Sequence, residues 1–181
     1  YTVTVTDDSG TPLSDSETVT LTITGSNDAP VISLLSQDSD SATLTETNAA
    51  LTAEGNLSVS DVDRTNTVSP SVVQVVTTGT TNGLQSNNTA LLAMLSVDSG
   101  TIIGSADTSG TLNWSFNSGS EHFNHLADGE QLTLTYTVRA SDSSAGQADR
   151  SVSITVTGSN DAPTVSISTP ADFTEAANAS A

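Results

Sequence analysis

The residues of this sequence with the clearest chemical potential are carboxylates in short, repeated motifs. Residues 61–63 (Asp-Val-Asp) and 128–130 (Asp-Gly-Glu) each place two carboxylates two positions apart, and an Asn-Asp pair at 27–28 returns at 160–161. Ca²⁺ takes about six to eight oxygen ligands, at roughly 2.3–2.6 Å, from carboxylates, amides, backbone carbonyls and water. These residue types and spacings therefore predict calcium as the cofactor.

The overall charge points the same way. The chain has 21 Asp and Glu against three Arg and no Lys, a formal net charge of -18 at pH 7. Such an excess pushes a compact state apart unless cations neutralise it, and it repels nucleic acid and anionic lipid. Solubility alone is the alternative reason for the charge, but it leaves the clustering of the acids unexplained.

Several other chemistries are excluded or disfavoured. The chain has no cysteine, so disulfides, thiolate metal sites and a thiol nucleophile cannot occur. No run of 18 apolar residues could span a bilayer, so no membrane insertion is expected. His122 and His125 are the only histidines. They lack the strand-turn-helix context of a nucleophile elbow, and two histidines are a weak signal for a transition metal. We predict that the chain is not an enzyme.

The chain also repeats itself at long spacing. Residues 22–30 (Thr-Ile-Thr-Gly-Ser-Asn-Asp-Ala-Pro) return as residues 155–163 (Thr-Val-Thr-Gly-Ser-Asn-Asp-Ala-Pro), 133 positions later. This indicates tandem modules. We expect residues 1–29 to be the C-terminal hairpin and linker of a preceding repeat, residues 30–162 a complete repeat, and residues 163–181 the N-terminal strand of a following one. Because an isolated hairpin is marginal in water, residues 1–24 are expected to be disordered, to pair with residues 164–168, or to pair with another molecule.

Local patterning is β almost throughout. Alternation of apolar and hydroxyl residues predicts half-buried strands, and the segment 88–95 fits one or two helical turns capped by Asn87 or Asn88. Together these elements predict an all-β, immunoglobulin/cadherin-like Greek-key β-sandwich in tandem repeats, with one short helix. The clear strand candidates are residues 2–6, 18–24, 132–138 and 151–157; weaker ones are 42–45, 57–60, 71–77, 111–116 and 164–168.

The inward positions of these strands define the predicted core. Trp114 alternates with Leu112 and Phe116, so it is predicted to be a core anchor and not a ligand platform. The same alternation places Val73 and Val75 on the inner face of their strand.

Four motifs in a fixed order carry a family resemblance. They are Thr45-Glu46, residues 57–63 (Leu-Ser-Val-Ser-Asp-Val-Asp), residues 123–130 (Phe-Asn-His-Leu-Ala-Asp-Gly-Glu) and the closing residues 154–163. In this order they resemble the VCBS repeat, a cadherin-like domain of bacterial RTX-type surface adhesins, over residues 22–163. The resemblance implies tandem immunoglobulin-like domains, secretion to the bacterial cell surface, a part in biofilm formation or attachment, and calcium at the junctions between repeats.

Strand direction assigns the acidic residues to two ends of the sandwich, because successive strands run alternately up and down. We call the end beside Pro30 the upper end and the opposite one the lower end. Turn formation, in which an aspartate bonds its own backbone, is the alternative for several of these residues. The predicted ligands are Asn27, Asp28, Asp61, Asp63 and Asp142 at the upper end, Glu46, Asp128, Glu130, Asn160 and Asp161 at the lower end, and their counterparts Asp7 and Glu175 in the partial repeats.

The predicted function is therefore that of a calcium-rigidified extender repeat of a large, secreted bacterial adhesin. Its expected partners are neighbouring repeats of the same chain, while an extracellular polysaccharide or a host surface would be contacted through other domains. The alternative is a ligand-binding adhesion module for a polysaccharide or a host surface, with residues 77–107 as the place for an unusual surface.

Overall fold

A computed structural model describes residues 1–163 and 165–167 of the chain. Its described part is built from β-strands and one short helix. In chain order the elements are β1 (Thr2–Thr6), β2 (Ser14–Thr18), β3 (Val31–Ser33), β4 (Ser41–Thr45), β5 (Thr52–Ser60), β6 (Val68–Gly79), α1 (Asn88–Leu92), β7 (Leu95–Val97), β8 (Ser109–Asn117), β9 (Gln131–Asp142) and β10 (Gln147–Thr157).

Two four-stranded sheets enclose a single core. Their strand orders are β4-β10-β9-β6 and β3-β5-β8-β7. Alternate residues of each long strand point inward, as in β9, where every second residue from Leu132 onward is buried. The predicted all-β sandwich with one short helix is confirmed. The largest buried side chains are Trp114, Tyr136, Phe116, Phe123, Leu57, Ile103, Leu112, Leu126, Leu132, Leu134 and Ile154.

Trp114 anchors the core as predicted. Its indole lies over Gly55 of the paired strand, so that a Cβ added to Gly55 would be 2.5 Å from the ring atom Cζ2. The indole Nε1 donates a hydrogen bond of 2.7 Å to the carbonyl of Ser39. A glycine is therefore needed beside the ring, and the only polar atom of the indole is satisfied.

Val73 does not face the core, and that prediction is wrong. The pairing of β6 with β9 shifts register between Val72 and Gln74. A bulge of this kind inserts one unpaired residue and reverses the alternation beyond it. Val73 is consequently 40% exposed, while Val72 packs against the core and Val75 is buried.

The N-terminal segment forms a two-stranded hairpin of β1 and β2, so it is ordered contrary to the expectation of disorder, and all of its residues are exposed. The predicted strand 18–24 is wrong beyond Thr18, where β2 ends. Residues 153–157, the counterparts of residues 20–24, pair with residues 131–135 of β9, whereas residues 20–24 have no partner strand among the described residues. Residues 165–167 form no strand; residues 164 and 168 of that predicted strand lie outside the described residues.

The segment 88–95 is divided between two elements. α1 covers Asn88–Leu92 and is capped by Asn87, whose side chain accepts from the N–H of Ala90. Leu95 instead begins β7, a short edge strand. Within the described residues, no helix is both long enough and apolar enough to cross a membrane.

The second and last strands of the repeat lie side by side. β4 pairs with β10 in parallel, from Ser41 opposite Ser153 to Thr45 opposite Thr157. Both strands therefore end at the lower end of the sandwich. This pairing places Glu46, which follows β4, next to Ser159, which follows β10.

Candidate cation-binding ends of the sandwich

At the upper end, the loop after β5 meets the end of β9. Asp61 and Asp63 follow the last residue of β5, and Asp142 is the last residue of β9. The linker before β3 crosses the same end, where Pro30 is buried. Three predicted ligands distant in sequence are thus brought to one end by the strand directions.

The linker is held there by its own polar groups. The Asn27 Nδ2 donates to Asp142 Oδ2 over 3.0 Å, and the Asn27 Oδ1 accepts from Asn66 Nδ2. The backbone N–H of Asp28 donates to Asp63 Oδ2 over 2.7 Å. Asn66, which is buried, is not a carboxylate and was not among the predicted ligands. Its amide side chain, three positions after Asp63, is the feature of the sequence that could have identified it.

Asp142 is tied into the turn between β9 and β10. Its Oδ1 accepts from the N–H of Ser144 and of Gly146 at 2.8 and 2.7 Å. Burial by itself raises the pKa of Asp142, but the bonds from Asn27, Gly146 and Ser144 to the ionised form outweigh it, and the pKa is lowered. Asp142 is therefore a carboxylate at neutral pH and acts as a turn former as well as a linker contact.

Asp61 is the least satisfied group at this end. It is 3% exposed. Its Oδ1 accepts from the N–H of Asp63 over 2.9 Å, whereas its Oδ2 is buried and has no hydrogen-bond partner. Leaving a buried acceptor unpaired costs about 1–3 kcal/mol, and more for a charged one. The free oxygen of Asp61 thus fits a cation ligand.

The lower end is organised around Glu46. This glutamate is 1% exposed, and its Oε2 accepts from the hydroxyl of Ser159 over 2.8 Å. Gly158 is bound on both sides, because its N–H donates to the carbonyl of Glu130 and its carbonyl accepts from the N–H of Gly129. The second linker therefore starts beside the loop that carries residues 128–130.

The remaining acids of the lower end are more open. Asp128, Asn160 and Asp161 are exposed and line one surface depression. The Asp161 Oδ1 accepts weakly, at 3.4 Å, from Asn48 Nδ2, and the Glu130 Oε2 accepts from the N–H of Ala127 in its own turn. The lower end therefore gathers four oxygen-bearing residues around Glu46 without closing them into a compact group.

Of the two counterparts in the partial repeats, the structure describes Asp7, which contributes to neither end of the sandwich. Asp7 lies in the β1–β2 turn, where its Oδ1 accepts from the hydroxyl and N–H of Ser9 and from the N–H of Leu13. The hydroxyl of Ser9 is the main cause of the lowered pKa of Asp7. Glu175 lies outside the described residues. Asp7 thus shows the turn role that was the alternative to metal binding.

In residues 1–163 and 165–167, no three His, Asp or Glu side chains are placed together as a ready-made metal site. At the upper end, two of the three carboxylates are engaged by the linker. In the loop that contains His122 and His125, polar groups are bonded within the fold. Glu121 accepts from the N–H of Ser86 and of Phe123, and His125 Nε2 lies 3.2 Å from the carbonyl of Thr80. Calcium at either end remains a prediction.

The segment proposed as an alternative ligand surface, residues 77–107, is partly packed into the sandwich. Leu91, Met94, Leu95 and Ile103 are buried core residues. The phenol of Tyr136 donates to the carbonyl of Leu91 over 2.9 Å. The helix therefore plugs the core between the sheets.

The described part of the chain is thus a two-sheet β-sandwich with acidic ends. No protein-family model and no curated protein matches the sequence. Among solved structures it is similar to PapD-like domain 7 of human CEP192, at 11% identity and a TM-score of 0.41, over 83% of this chain and 99% of that one.

Two bacterial structures are similar to a comparable degree. The CooA pilin subunit of enterotoxigenic Escherichia coli has 14% identity and a TM-score of 0.40, over 75% of this chain and 100% of that one. AggA, the major subunit of aggregative adherence fimbriae type I from Escherichia coli, has 11% identity and a TM-score of 0.33, over 75% and 97%. Similarity this weak supports no inference about what the chain does.

Proposed function

We propose that this chain is a structural extender repeat of a secreted bacterial surface adhesin, in which Ca²⁺ held at the ends of the sandwich stiffens the junctions between successive repeats. The observation that carries the proposal is the buried, unpartnered Oδ2 of Asp61 beside the linker. An oxygen of this kind calls for a partner. The chain has no lysine, and within the described residues no arginine bonds to this oxygen.

At the upper end, the residues that fit the ion are Asp61, Asp63, Asp142 and the side-chain oxygen of Asn27. They come from the loop after β5, the end of β9 and the linker. When bound, Ca²⁺ supplies the positive charge that several converging carboxylates otherwise lack. The residues themselves fix the linker to the sandwich, because Asn27 and Asp28 already bond to Asp142 and Asp63.

At the lower end, Glu46, Asp128 and Glu130 offer carboxylates, and Asn160 and Asp161 offer oxygens from the second linker. These groups lie near the end of β10, where the second linker begins. In the repeat, this linker corresponds to the Asn27–Asp28 linker, which follows the β1–β2 hairpin. The more open arrangement fits a site that further ligands from an adjoining module would complete.

The mechanical consequence follows from linker freedom. A module joined by a flexible linker samples many orientations, and an ion shared between linker and sandwich removes that freedom. A row of such modules becomes an extended spacer that holds a distal binding domain away from the cell. The resemblance to the VCBS repeat and the acidic composition support the cell-surface setting, with neighbouring repeats as partners.

The proposal is tested by melting the full chain with excess Ca²⁺ and with chelator. We expect a higher Tm and reduced proteolysis at residues 25–30 with Ca²⁺, since only the folded ends gather the ligands. A Mg²⁺ arm at equal concentration controls for ionic strength, because Mg²⁺ dehydrates reluctantly and prefers small octahedral sites. Equal melting in Ca²⁺, Mg²⁺ and chelator would contradict the calcium role.

The rod itself requires a chain of several repeats. Small-angle scattering on such a chain should give a longer maximum dimension with Ca²⁺ than with chelator. If calcium raises the Tm but leaves the maximum dimension unchanged, the ion stabilises single modules and the spacer mechanism is wrong.

A further inference from the structure

The upper end recognises the linker through hydrogen bonds that need no cation. Both polar atoms of the Asn27 amide are hydrogen-bonded, because its Nδ2 donates to Asp142 and its Oδ1 accepts from Asn66. An aspartate at this position could not donate to Asp142 and would repel it. The contact is therefore specific for an asparagine side chain.

The backbone of the linker is also fitted closely. The N–H of Asp28 donates to Asp63, and Pro30 is buried. Gly146 lies against the linker: a Cβ added to it would be 2.9 Å from Ala29 Cα and would collide with Asp142 Oδ2. We call the groups that receive the linker, Asp63, Asn66, Asp142 and Gly146, the linker seat.

The chain carries a second copy of the peptide that fills this seat. Residues 25–30 and 158–163 both read Gly-Ser-Asn-Asp-Ala-Pro. In the second copy Asn160 and Asp161 are exposed, and the described contacts of their side chains are limited to the weak bond from Asn48. Asn27 and Asp28 are exposed as well, so the two copies differ in their bonds and in their proline: the amide of Asn27 is bonded twice and Pro30 is buried, whereas no described bond reaches the amide of Asn160 and Pro163 is exposed.

We propose that the upper end of the sandwich is a receptor for the Gly-Ser-Asn-Asp-Ala-Pro peptide, and that residues 158–163 of a second copy of this chain fill the seat when its own linker is absent. This inference rests on the proposed role in tandem repeats, and it identifies the linker seat as the surface through which one repeat recognises the next. The contact is heterologous, tail to head, and such contacts propagate a row of modules instead of closing a dimer.

The seat can be emptied without touching the core. All buried core residues lie between Leu51 and Val156, and every residue of the β1–β2 hairpin is exposed. Residues 31–163 therefore keep both sheets and the whole described core. This fragment also lacks Pro30, so it leaves the whole seat open and is the receptor for the test.

The experiment is an NMR titration of the 31–163 fragment, in chelator, with a synthetic peptide of residues 155–163. The fragment is kept far below the Kd, which is on the order of 1 mM, because it carries residues 158–163 itself and would otherwise bind its own copies. We expect saturable shifts confined to the amides of residues 61–66 and 142–147, with a Kd on the order of 1 mM, as suits a few hydrogen bonds. A peptide with Asn160→Ala should bind about fivefold or more weakly, because two bonds are lost. Absence of shifts at millimolar peptide, or equal binding of the two peptides, overturns the proposal.

Variants of the receptor locate the contact. Asn66→Ala and Gly146→Ala should each weaken peptide binding by about fivefold or more, the first by removing a donor and the second by filling the space for the backbone. Their melting curves report whether they fold, and at least one folded variant must show the loss. A folded variant pair that binds the peptide as tightly as the parent contradicts the linker seat.

The full chain supplies the matched control. Its own linker occupies the seat, so hydrogen exchange should be slower at the Asp28 amide than at the Asp161 amide, and Gly146→Ala should abolish the difference. Gly25→Ala, where an added Cβ has nothing within 4 Å, should leave it unchanged. Peptide binding that appears only with Ca²⁺ overturns this inference but not the proposed function; binding in chelator with no effect of Ca²⁺ on melting does the reverse.

Discussion

Asparagine in place of Asp61 should change the response of the protein to calcium in a way that a surface substitution cannot. The Oδ1 of Asn keeps the bond from the N–H of Asp63, and a neutral amide replaces the buried carboxylate oxygen that has no partner. Removing that unpaired buried charge should stabilise the ion-free protein by about 1 kcal/mol, the low end of the cost of an unpaired buried group, because the amide NH2 that takes its place is buried and needs a partner too. For a chain of this size, that corresponds to a Tm higher by about 2–4 °C.

Calcium should reverse the order. An ion bound only by the folded state adds about 4.1 kcal/mol at a concentration of about 1,000 times its Kd. The parent gains this energy, whereas Asp61→Asn loses a charged ligand and with it most of the gain. The variant should therefore melt above the parent in chelator and below it in saturating Ca²⁺.

The assay is thermal unfolding followed by circular dichroism in the two conditions. Asp107→Asn is the matched control, because it makes the same change in charge at an exposed position, and it should stay within about 0.5 kcal/mol of the parent in both. The reasoning is refuted if Asp61→Asn melts below the parent in chelator and shows the same rise with Ca²⁺.

Three further predictions concern the fold. Gly55→Ala should cost about 1–3 kcal/mol by forcing the indole of Trp114 aside, seen as a lower Tm and altered tryptophan fluorescence, while Gly25→Ala should cost far less. Burial raises the pKa of Tyr136, so tyrosinate absorbance in the folded protein should reveal Tyr136 only on alkaline unfolding; its ionisation together with Tyr1 in the native state would contradict the burial. Burial alone would raise the pKa of Asp142, but hydrogen bonds from Asn27, Gly146 and Ser144 lower it below its ordinary value. The unfolded chain therefore binds the proton more tightly, and the stability that Asp142 contributes is lost as pH falls below about 4. In Asp142→Asn the free energy of unfolding should fall less steeply with decreasing pH than in the parent, and an equal slope would refute this.

Most of the fold was predictable because its signals are local. Alternation in β9 and β10, and around Trp114, follows from having one face on a core. Two features were not local. The bulge that turns Val73 outward depends on the pairing of β6 with β9, and the end of β2 at Thr18 depends on where a partner strand exists. Neither the bulge in β6 nor the end of β2 can be predicted from the residues at that position alone.

The candidate site was predictable in position but not in detail. Strand direction alone brings Asp61, Asp63 and Asp142 to one end, since loops of a sandwich fall at its two ends. The buried oxygen of Asp61 and the contribution of Asn66 depend on side-chain packing. Asp7 shows the limit of arguing by repeat, because its turn bonds account for its carboxylate without an ion.

The parallel pairing of β4 with β10 has a mechanical consequence. A force pulling the two linkers apart reaches β4 through β3, which is paired with β5 at three positions. Once β3 has separated, the force acts upward at the start of β4 and downward at the end of β10, along the direction of both strands. The five paired positions from Ser41–Ser153 to Thr45–Thr157 are then loaded in shear, so their hydrogen bonds must give way together and not one after another. A module pulled from its ends would resist at this short ladder before the core behind it is exposed.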